Sequence, residues 1–409
     1  MPAVSSPAAP PSARHAIPFA LMVVFLDVSG VGLILPVLPR LIEDVGHIGL
    51  DTAALIGGWL FAVFSLAQFL CAPFVGALSD RIGRRPLLLL AVGGLGMDYV
   101  LHALAPTLLW LFIGRILAGA CGSSYVIANA LIADVTAPEQ RARAFGWIGA
   151  AFGMGFVLGP ALGGLLGTFG PRVPFWVAAA LAIGNFAFGL MFLPETLPRA
   201  KRRPFNWREA NPLGALMVFR RYPGVLGLVG VLFIYLFGSA VYPAIWSFWG
   251  IAKFGWSETM IGLSLAAFGL MMALVQGTLI GPMVARFGER RVALIGLTVA
   301  AVICMGYGFA TGIVTVSVLL VLHAPEGLVH PMLATLMSRA VPDDAQGALQ
   351  GGIAALMNLA MVTGTLFFTQ VFGYFLSDAT PFRSADMAYF IAAGVIVLAL
   401  ITFQRITRN

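Results

Sequence analysis

Seven ionisable side chains lie inside apolar runs of about 20 residues, the length of a membrane-spanning helix. A charged side chain at the centre of a bilayer costs about 2.5–3.5 kcal/mol on insertion scales. Those that membrane proteins retain usually face a cavity and bind protons, ions or substrate. The seven candidates for proton coupling and the substrate pathway are Asp27, Asp98, His102, Arg115, His323, Glu326 and His330.

Asp27 lies near the middle of the first apolar run. A buried carboxyl without a charged partner can bind and release a proton near neutral pH. The alternative is a structural acid that pairs with a hydroxyl or with Arg115.

Asp98 and His102 are four residues apart, which places them on one face of a helix. Because an imidazole titrates near neutral pH, the pair could relay protons, or it could form only a local hydrogen bond. Arg115 stays charged in any setting and therefore needs a counter-ion or a water-filled cavity. It could take part in proton transfer beside an acid, or form a fixed ion pair.

His323, Glu326 and His330 are spaced by three and four residues, which predicts one stripe on a helix. The stripe could couple protons or substrate to transport, or line a cavity as polar surface. A metal site needs further ligands, and since the sequence offers none, no metal is predicted.

Aromatic and amide side chains in the apolar runs are the remaining candidates for lining a substrate pathway. Each buried amide must find a polar partner, either on the substrate or on a neighbouring helix. Trp249 and Trp256 are predicted instead to lie at the membrane–water interface, where tryptophan is enriched. The substrate-lining candidates are Gln68, Asn129, Tyr242, Trp246, Gln276 and Asn358.

The composition requires a membrane to cover these runs. Of 409 residues, 60% are hydrophobic and 10% are charged, against about 25% charged in soluble domains. We therefore predict an all-α membrane protein. The twelve predicted segments cover residues 17–39, 53–75, 86–105, 107–132, 143–167, 173–193, 224–248, 258–284, 291–310, 313–337, 347–373 and 386–404.

The distribution of basic residues predicts the orientation. Nineteen Lys and Arg residues flank the segments on the side of the two termini, and four lie on the opposite side. The positive-inside rule therefore puts both termini in the cytoplasm. The same rule accounts for the formal charge of +7, and no nucleic-acid partner is predicted.

The chain divides into two similar halves. Glycines recur at an offset of 205 residues, as in the pairs Gly76/Gly281 and Gly83/Gly288, which indicates a duplicated six-helix unit. We predict two pseudo-symmetric six-helix bundles. The predicted parts are a disordered tail (1–16), the N-terminal bundle (17–193), a basic linker (194–223), the C-terminal bundle (224–404) and a tail (405–409).

Two glycine motifs are predicted to shape the helices rather than to do chemistry. GALSDRIGRR (76–85) places Gly76, Asp80, Arg81, Gly83, Arg84 and Arg85 between segments 2 and 3, and its second copy has Ala285 in place of Asp80. In segment 5, glycines four residues apart form a stripe that allows close helix packing. That stripe is Gly155, Gly159 and Gly163, with Pro160 beside it.

GALSDRIGRR resembles the signature loop of the major facilitator superfamily, and GMGFVLGPALGG (153–164) resembles its antiporter motif in helix 5. Leu26–Gly30, followed by LILPVLP (33–39), resembles the helix 1 motif of the twelve-helix drug/proton antiporters. The chain resembles their tetracycline efflux branch more closely still, in segments that include MDYVLHA (97–103), IADVTAPEQRARAFGW (132–147) and QGALQG (346–351). The resemblance implies proton-coupled export of tetracycline-like or other amphipathic compounds by alternating access. The alternative is a transporter of a nutrient or metabolite. An enzyme would need a nucleophile beside a base, or a metal site. The sequence offers no convincing arrangement of either kind, so no enzyme is predicted.

The resemblance also implies the setting. It implies a functional monomer in the bilayer of the bacterial inner membrane, with a small amphipathic substrate and protons as partners, and with the proton gradient rather than a cofactor as energy source.

For single residues, the resemblance implies a coupling acid at Asp27, an acid towards the periplasmic half at Asp98 and a proton-transfer arginine at Arg115. It implies that the segment 5 stripe packs against helix 8 and that Asp80 caps helix 11. The gating motif extends to Asp134, Arg141 and Arg143, and Asp80 is expected to pair with Arg141 or Arg143.

Two departures from the family pattern concern the C-terminal half. The family carries a histidine in helix 8, where this chain has Gly269–Ala273, and an aspartate in helix 9, where it has Val299–Ala301.

Overall fold

The computed structural model describes residues 13–122, 124–137, 140–202, 204–205, 211, 214, 216–342 and 345–408. Most of the predicted N-terminal tail (1–16) lies outside these residues, and so do parts of the predicted linker (194–223) and the last residue. The first helix already begins at Ala13, so residues 13–16 are helical rather than part of a disordered tail.

Twelve helices in the described residues are long and apolar enough to cross a membrane, as predicted. In chain order they are α1 (Ala13–Ile34), α2 (Leu50–Ile82), α3 (Arg84–Leu104), α4 (in two described parts, Leu108–Cys121 and Ser124–Val135), α5 (Arg141–Gly167), α6 (Val173–Phe192), α7 (Pro223–Phe254), α8 (Glu258–Thr278), α9 (Ile280–Gly308), α10 (Ile313–Arg339), α11 (Gln346–Leu376) and α12 (Met387–Ile406).

Short elements connect or interrupt these spans. A nine-residue helix, Leu38–Gly46, follows α1, and Val218–Arg221 precedes α7. The tenth span is broken, with helices Ile313–His323 and Val329–Arg339 on either side of a 3₁₀ segment, Ala324–Leu328. A 3₁₀ segment in the middle of a helix often marks a functional hinge.

The glycine stripe of α5 packs against α1, and the prediction that it faces α8 is wrong. A Cβ added at Gly155, Gly159 or Gly163 would lie within 3.0 Å of the α1 backbone or side chains. The contact with α8 comes from the neighbouring face, where a Cβ at Gly164 would lie 2.4 Å from the Glu258 carbonyl. Residues four apart lie on one face of a helix, whereas Gly164 directly follows Gly163 and lies on another face. The stripe and Gly164 therefore contact different helices.

The two six-helix bundles meet on the side of the membrane opposite the termini, called here the opposite side. The start of α2 packs against the end of α11, where Gln370 donates a hydrogen bond to the Leu55 carbonyl at 3.2 Å. The end of α5 packs against the start of α8, where Thr259 donates to the Gly164 carbonyl at 3.2 Å. An ion pair between Arg40 and Glu258 at 3.5 Å also joins the bundles.

The bundles separate on the side that holds the termini, called here the termini side. A cleft of about 540 Å³ lies between α5 and α8, with Phe152 and Phe156 on one wall and Phe268, Met272 and Gln276 on the other. Several glycines near the termini-side ends of α5, α8, α9 and α11 border open space. A Cβ added at any of them would meet no other atom within 4 Å. They are Gly146, Gly149, Gly153, Gly277, Gly281, Gly347 and Gly351.

Candidate functional site

Asp98, His102 and Arg115 form one buried cluster in the N-terminal bundle. The Oδ2 atom of Asp98 accepts a hydrogen bond from Nη2 of Arg115 at 2.9 Å. Its Oδ1 atom lies 2.8 Å from Nδ1 of His102, which confirms the contact that the four-residue spacing predicts. All three residues are buried, so the cluster holds its charges away from solvent.

The neighbours of this cluster fix its geometry. The His102 ring stacks on Phe175 with a centroid distance of 5.3 Å, and the Arg115 guanidinium lies 5.5 Å from the centroid of the Phe64 ring. A Cβ at Gly114 would lie 2.5 Å from Cε1 of His102. A glycine at 114 therefore lets α4 come close enough to α3 for the ion pair to form.

Asp27 pairs with a hydroxyl and not with Arg115, whose partner is Asp98. Ser124 of α4 donates a hydrogen bond to Oδ2 of Asp27. Beside Asp27 lies a cavity of about 20 Å³, which also contacts Ser29 and Asn185 and has room for one water molecule. The Ser29 hydroxyl and both polar atoms of the Asn185 amide are buried without a hydrogen-bond partner in the described residues.

Glu326 is the centre of a second buried cluster, in the C-terminal bundle. Its Oε2 atom lies 2.6 Å from Nε2 of His323. Its Oε1 atom accepts hydrogen bonds from Ser239 at 2.7 Å and from Tyr235 at 3.2 Å. The other ring nitrogen of His323 lies 3.3 Å from the hydroxyl of Tyr307.

His330 does not join this cluster, so the prediction of one continuous stripe is wrong for it. His330 is half-buried, and its Nε2 atom has no hydrogen-bond partner in the described residues. The reason is the 3₁₀ segment Ala324–Leu328, which changes the angle between successive side chains along α10.

The aromatic residues of α7 pack inside the C-terminal bundle. The Tyr242 ring packs against the His323 ring in a tilted arrangement, with a centroid distance of 4.4 Å, and Trp246 donates a hydrogen bond to Ser264 at 2.8 Å. Trp249 and Trp256 are buried by protein, and their rings pack on each other with a centroid distance of 6.1 Å. Their location at the level of the membrane interface stays a prediction.

The four amides differ in what they contact. Gln68 donates to the Gly122 carbonyl at 3.0 Å, which ties α2 to α4, and Asn129 donates to the Tyr125 carbonyl within its own helix. Gln276 lines the cleft and donates to the Gly327 carbonyl at 3.5 Å. Asn358 is half-buried on α11. Of these four amides, Gln276 is the one that the cleft exposes to a substrate.

The signature loop forms a turn at Gly83, whose φ of 123° is accessible mainly to glycine. Asp80 pairs with Arg84 at 2.6 Å, and Arg84 also contacts Asp134 at 3.2 Å. Neither Arg141 nor Arg143 pairs with Asp80 in this state, in which the bundles are separated on the termini side. The expected pairing belongs to the state that is closed on this side, and it stays a prediction.

The two arginines expected to pair with Asp80 have other partners. Arg141 donates to backbone carbonyls of Ala133 and Thr136 at the end of α4. Arg143 lies over the Trp147 ring, 5.3 Å from its centroid.

The other motif residues of the loop serve the turn and its surroundings. A Cβ added at Gly76 would lie 3.9 Å from Val126, an ordinary contact distance. Arg81 is exposed, and Arg85 donates to the Leu190 carbonyl. The second copy keeps the turn, since Gly288 also has a positive φ, of 72°.

Several partners in these clusters were missed by sequence analysis. Glu195 accepts a hydrogen bond from the Arg84 amide at 2.9 Å and so caps the start of α3. Ser239 and Tyr235 hold Glu326, and Asn185 faces the Asp27 cavity. Asn185 had a usable signal, because it is an amide inside an apolar segment. A serine or tyrosine in such a segment is too common to single out.

The positions where the family places a helix 8 histidine and a helix 9 aspartate hold no ionisable group. Gly269 lines the cleft, and Ala300 and Ala301 are buried. The described residues contain no group of three side chains suited to hold a metal ion.

Comparisons with known proteins agree with this architecture. The model of the Major Facilitator Superfamily matches residues 20–249 and 227–408. The chain is 40% identical over 392 residues to the class C tetracycline resistance protein of Escherichia coli, covering 96% of this chain and 97% of that protein. It is 38% identical over 355 residues to the class G protein of Vibrio anguillarum, covering 86% and 89%.

Solved structures share the fold. The crystal structure of the human organic anion transporter MFSD10 (TETRAN) matches with a TM-score of 0.70 and 27% identity, covering 97% of this chain and all of that one. A bacterial homolog of the human lysosomal transporter Spinster, inward-facing and occupied, matches with a TM-score of 0.80 at 14% identity over 98% and 97% of the two chains. The chain belongs to the Major Facilitator Superfamily and, within it, to the group that includes the tetracycline resistance proteins.

Proposed function

We propose that this chain is a proton-driven exporter of tetracycline-like, amphipathic compounds that works by alternating access. The observation that carries the proposal is the ion pair between Asp98 and Arg115, buried inside two membrane spans. Such a pair is costly to bury and contributes little net stability, which favours a role in transport. The identity to tetracycline resistance proteins supports the substrate class.

The cleft supports entry from the cytoplasm. It opens on the termini side, and the excess of Lys and Arg on that side favours a cytoplasmic location. A compound from the cytoplasm or the inner leaflet would enter between α5 and α8 and contact Phe156, Phe268 and Gln276. The cleft would then close and the contact between Gly164 and Glu258 would separate. These two movements would release the compound on the opposite side.

The proton would be exchanged in the N-terminal bundle. Asp27 has a hydroxyl partner and no cation partner in the described residues, and its cavity can hold one water molecule. Asp98 is neutralised by Arg115. A movement of α3 against α4 would separate this pair, and Asp98 would then take up a proton.

The setting follows the same proposal. The chain would act as a monomer in the bacterial inner membrane with both termini in the cytoplasm. The proton gradient would supply the energy without a cofactor.

Everted membrane vesicles test the proposal. With an imposed pH gradient, the wild-type chain should accumulate tetracycline, and collapse of the gradient should abolish the accumulation. Asp27→Asn should accumulate no more than vesicles without the protein. Accumulation that persists without the gradient would contradict proton coupling.

An organic anion or another metabolite is the alternative substrate. The chain is 27% identical to a solved structure described as an organic anion transporter. This similarity supports organic anions as the alternative class of substrate. The same vesicles, offered organic anions instead of tetracycline, separate the two: accumulation of an anion without accumulation of tetracycline would replace the main proposal.

A further inference from the structure

The C-terminal bundle carries an acid–imidazole pair in the break of α10. His323 ends the first helical part of α10, and Glu326 lies within the 3₁₀ segment Ala324–Leu328. Pro325 lies between them and lacks a backbone N–H, so it weakens the regular helix here. Both side chains are buried, which places two ionisable groups at the point where α10 is least regular.

The hydrogen-bond partners around the pair are compatible with two protonation states of His323. With a neutral imidazole, Nε2–H donates to Glu326 and Nδ1 accepts from the Tyr307 hydroxyl. When Nδ1 also carries a proton, it donates to the same hydroxyl oxygen, because a tyrosine can donate or accept. Ser239 and Tyr235 hold the other carboxylate oxygen in both states. One proton can therefore be added without rearranging the pair.

The charge balance favours that addition. Glu326 has no Lys or Arg partner within the described part of the chain; its ion-pair partner is His323. With a neutral imidazole the pair carries one net negative charge in a low-dielectric interior, and one further proton makes it neutral overall. In the described residues, the titratable groups that face the pair are weakly acidic and uncharged at neutral pH: Tyr235 and Tyr242 from α7, and Cys304 and Tyr307 from α9. Tyr389 of α12 lies behind them and contacts the Tyr242 and Tyr307 rings.

One layer of side chains separates the pair from the cleft. Phe268 of α8 lines the cleft, and its ring lies 4.8 Å from the His323 ring by centroids. On its other side Phe268 borders a cavity of about 20 Å³, together with Tyr242 and His323, which can hold one water molecule. Gln276 also lines the cleft and is hydrogen-bonded to the 3₁₀ segment at Gly327. A compound in the cleft would thus press on two residues that contact the pair or the segment that carries it.

We propose that His323 and Glu326 form a proton-binding site of the C-terminal bundle, which loses its proton when substrate in the cleft displaces Phe268 and Gln276. This rests on the proposed proton-coupled export. The site would supply that bundle with an exchangeable proton, although residues 269–273 and 299–301 lack the ionisable groups that the family pattern places there.

Proton release on substrate binding tests the site directly. Tetracycline is added to the purified full-length protein in lightly buffered detergent solution, and released protons are counted with a pH indicator. Glu326→Gln and His323→Asn should each release about one proton fewer per chain than the wild type, as expected for loss of one titrating imidazole–carboxylate pair. His47→Asn is the matched control, because His47 is outside the pair and adopts a left-handed conformation that asparagine tolerates. Unchanged release in both variants, with tetracycline still bound, would overturn the proposal.

A second measurement works without a substrate. Infrared spectra of the wild-type protein with isotope-labelled histidine, recorded between about pH 5 and 8, report whether an imidazole changes charge. A band that changes in the wild type and in His47→Asn, but is lost in His323→Asn, supports the site. If no band is assigned to His323 by this comparison, the site does not bind the proton, and the proposal fails.

The two measurements separate this inference from the proposed function. If wild-type vesicles do not accumulate tetracycline, the proposed function fails, whereas the infrared result still decides whether His323 binds a proton. If wild-type vesicles accumulate tetracycline and Glu326→Gln accumulates it equally well under the same gradient, the export proposal stands and the coupling role of the pair is wrong. Tyr307→Phe keeps the ring and removes the hydroxyl. It should alter the pH dependence of transport while Glu326 and His323 remain in contact.

Discussion

The Nη2 atom of Arg115 lies 2.9 Å from Oδ2 of Asp98, and both side chains are buried between α3 and α4. The pair joins the two helices at a depth where neither charge can reach bulk solvent. His102 contacts the other carboxylate oxygen of Asp98. A change in any one of these three residues therefore alters the charge balance around the other two.

We predict that Asp98→Asn abolishes transport and destabilises the chain. Removing one partner of a buried ion pair leaves an uncompensated charge and typically costs about 3–5 kcal/mol. The double variant Asp98→Asn, Arg115→Gln should recover much of this stability but not the transport. Thermal unfolding in detergent and vesicle accumulation measure the two properties.

The control for this prediction is Asp378→Asn, which removes a similar pair with Arg383 that is exposed. It should change stability by less than about 1 kcal/mol, as exposed pairs do. If Asp98→Asn is as stable as Asp378→Asn, the buried pair does not hold α3 and α4 together.

A second prediction concerns the contact that closes the opposite side. A Cβ at Gly164 would lie 2.4 Å from the Glu258 carbonyl and 3.0 Å from the Gly262 Cα atom. Gly164→Ala should therefore disfavour the state in which α5 and α8 touch, and shift the protein towards opening on the opposite side. Accessibility of an introduced cysteine near residue 258 to a water-soluble reagent measures this shift.

Gly184→Ala is the matched control, because nothing lies within 4 Å of a Cβ at that position in α6. It should leave accessibility and transport unchanged. Equal accessibility in Gly164→Ala and the wild type would show that this contact does not limit opening.

A third prediction concerns the signature loop. Arg84 contacts both Asp80 and Asp134, so Arg84→Ala should reduce transport more than Asp80→Asn does. Asp80→Asn should fold normally, because the Asp80 side chain is 43% exposed and ion pairs with a solvent-exposed partner contribute about 0–1 kcal/mol. Vesicle accumulation at matched expression gives the order of the effects. Normal transport in Asp80→Asn would refute a gating role for this residue.

A fourth prediction uses the ion pair that crosses the bundles. Arg40→Glu places a negative charge beside Glu258, normally 3.5 Å from Arg40, and should weaken closure of the opposite side. The swapped pair, Arg40→Glu with Glu258→Arg, should restore it. Since the Arg40 side chain is half exposed, the expected effect is about 1 kcal/mol or less and should shrink at high salt. If the swapped pair behaves like the single variant, the attraction between these two residues is irrelevant to closure.

The sequence by itself determined the features that depend on neighbours along one helix. Apolar length was enough to predict twelve spans, because a bilayer fixes the length of a helix that crosses it. The four-residue spacing was enough to place Asp98 beside His102. Both predictions are confirmed.

Only the tertiary structure decided which helix each side chain addresses. The glycine stripe of α5 faces α1, Glu326 is held from α7, and Asp80 pairs with Arg84. These contacts depend on the rotation of each helix about its axis and on the separation of the bundles on the termini side. Spacing within one helix fixes neither quantity, because both are set by packing against other helices and by the conformational state of the transporter.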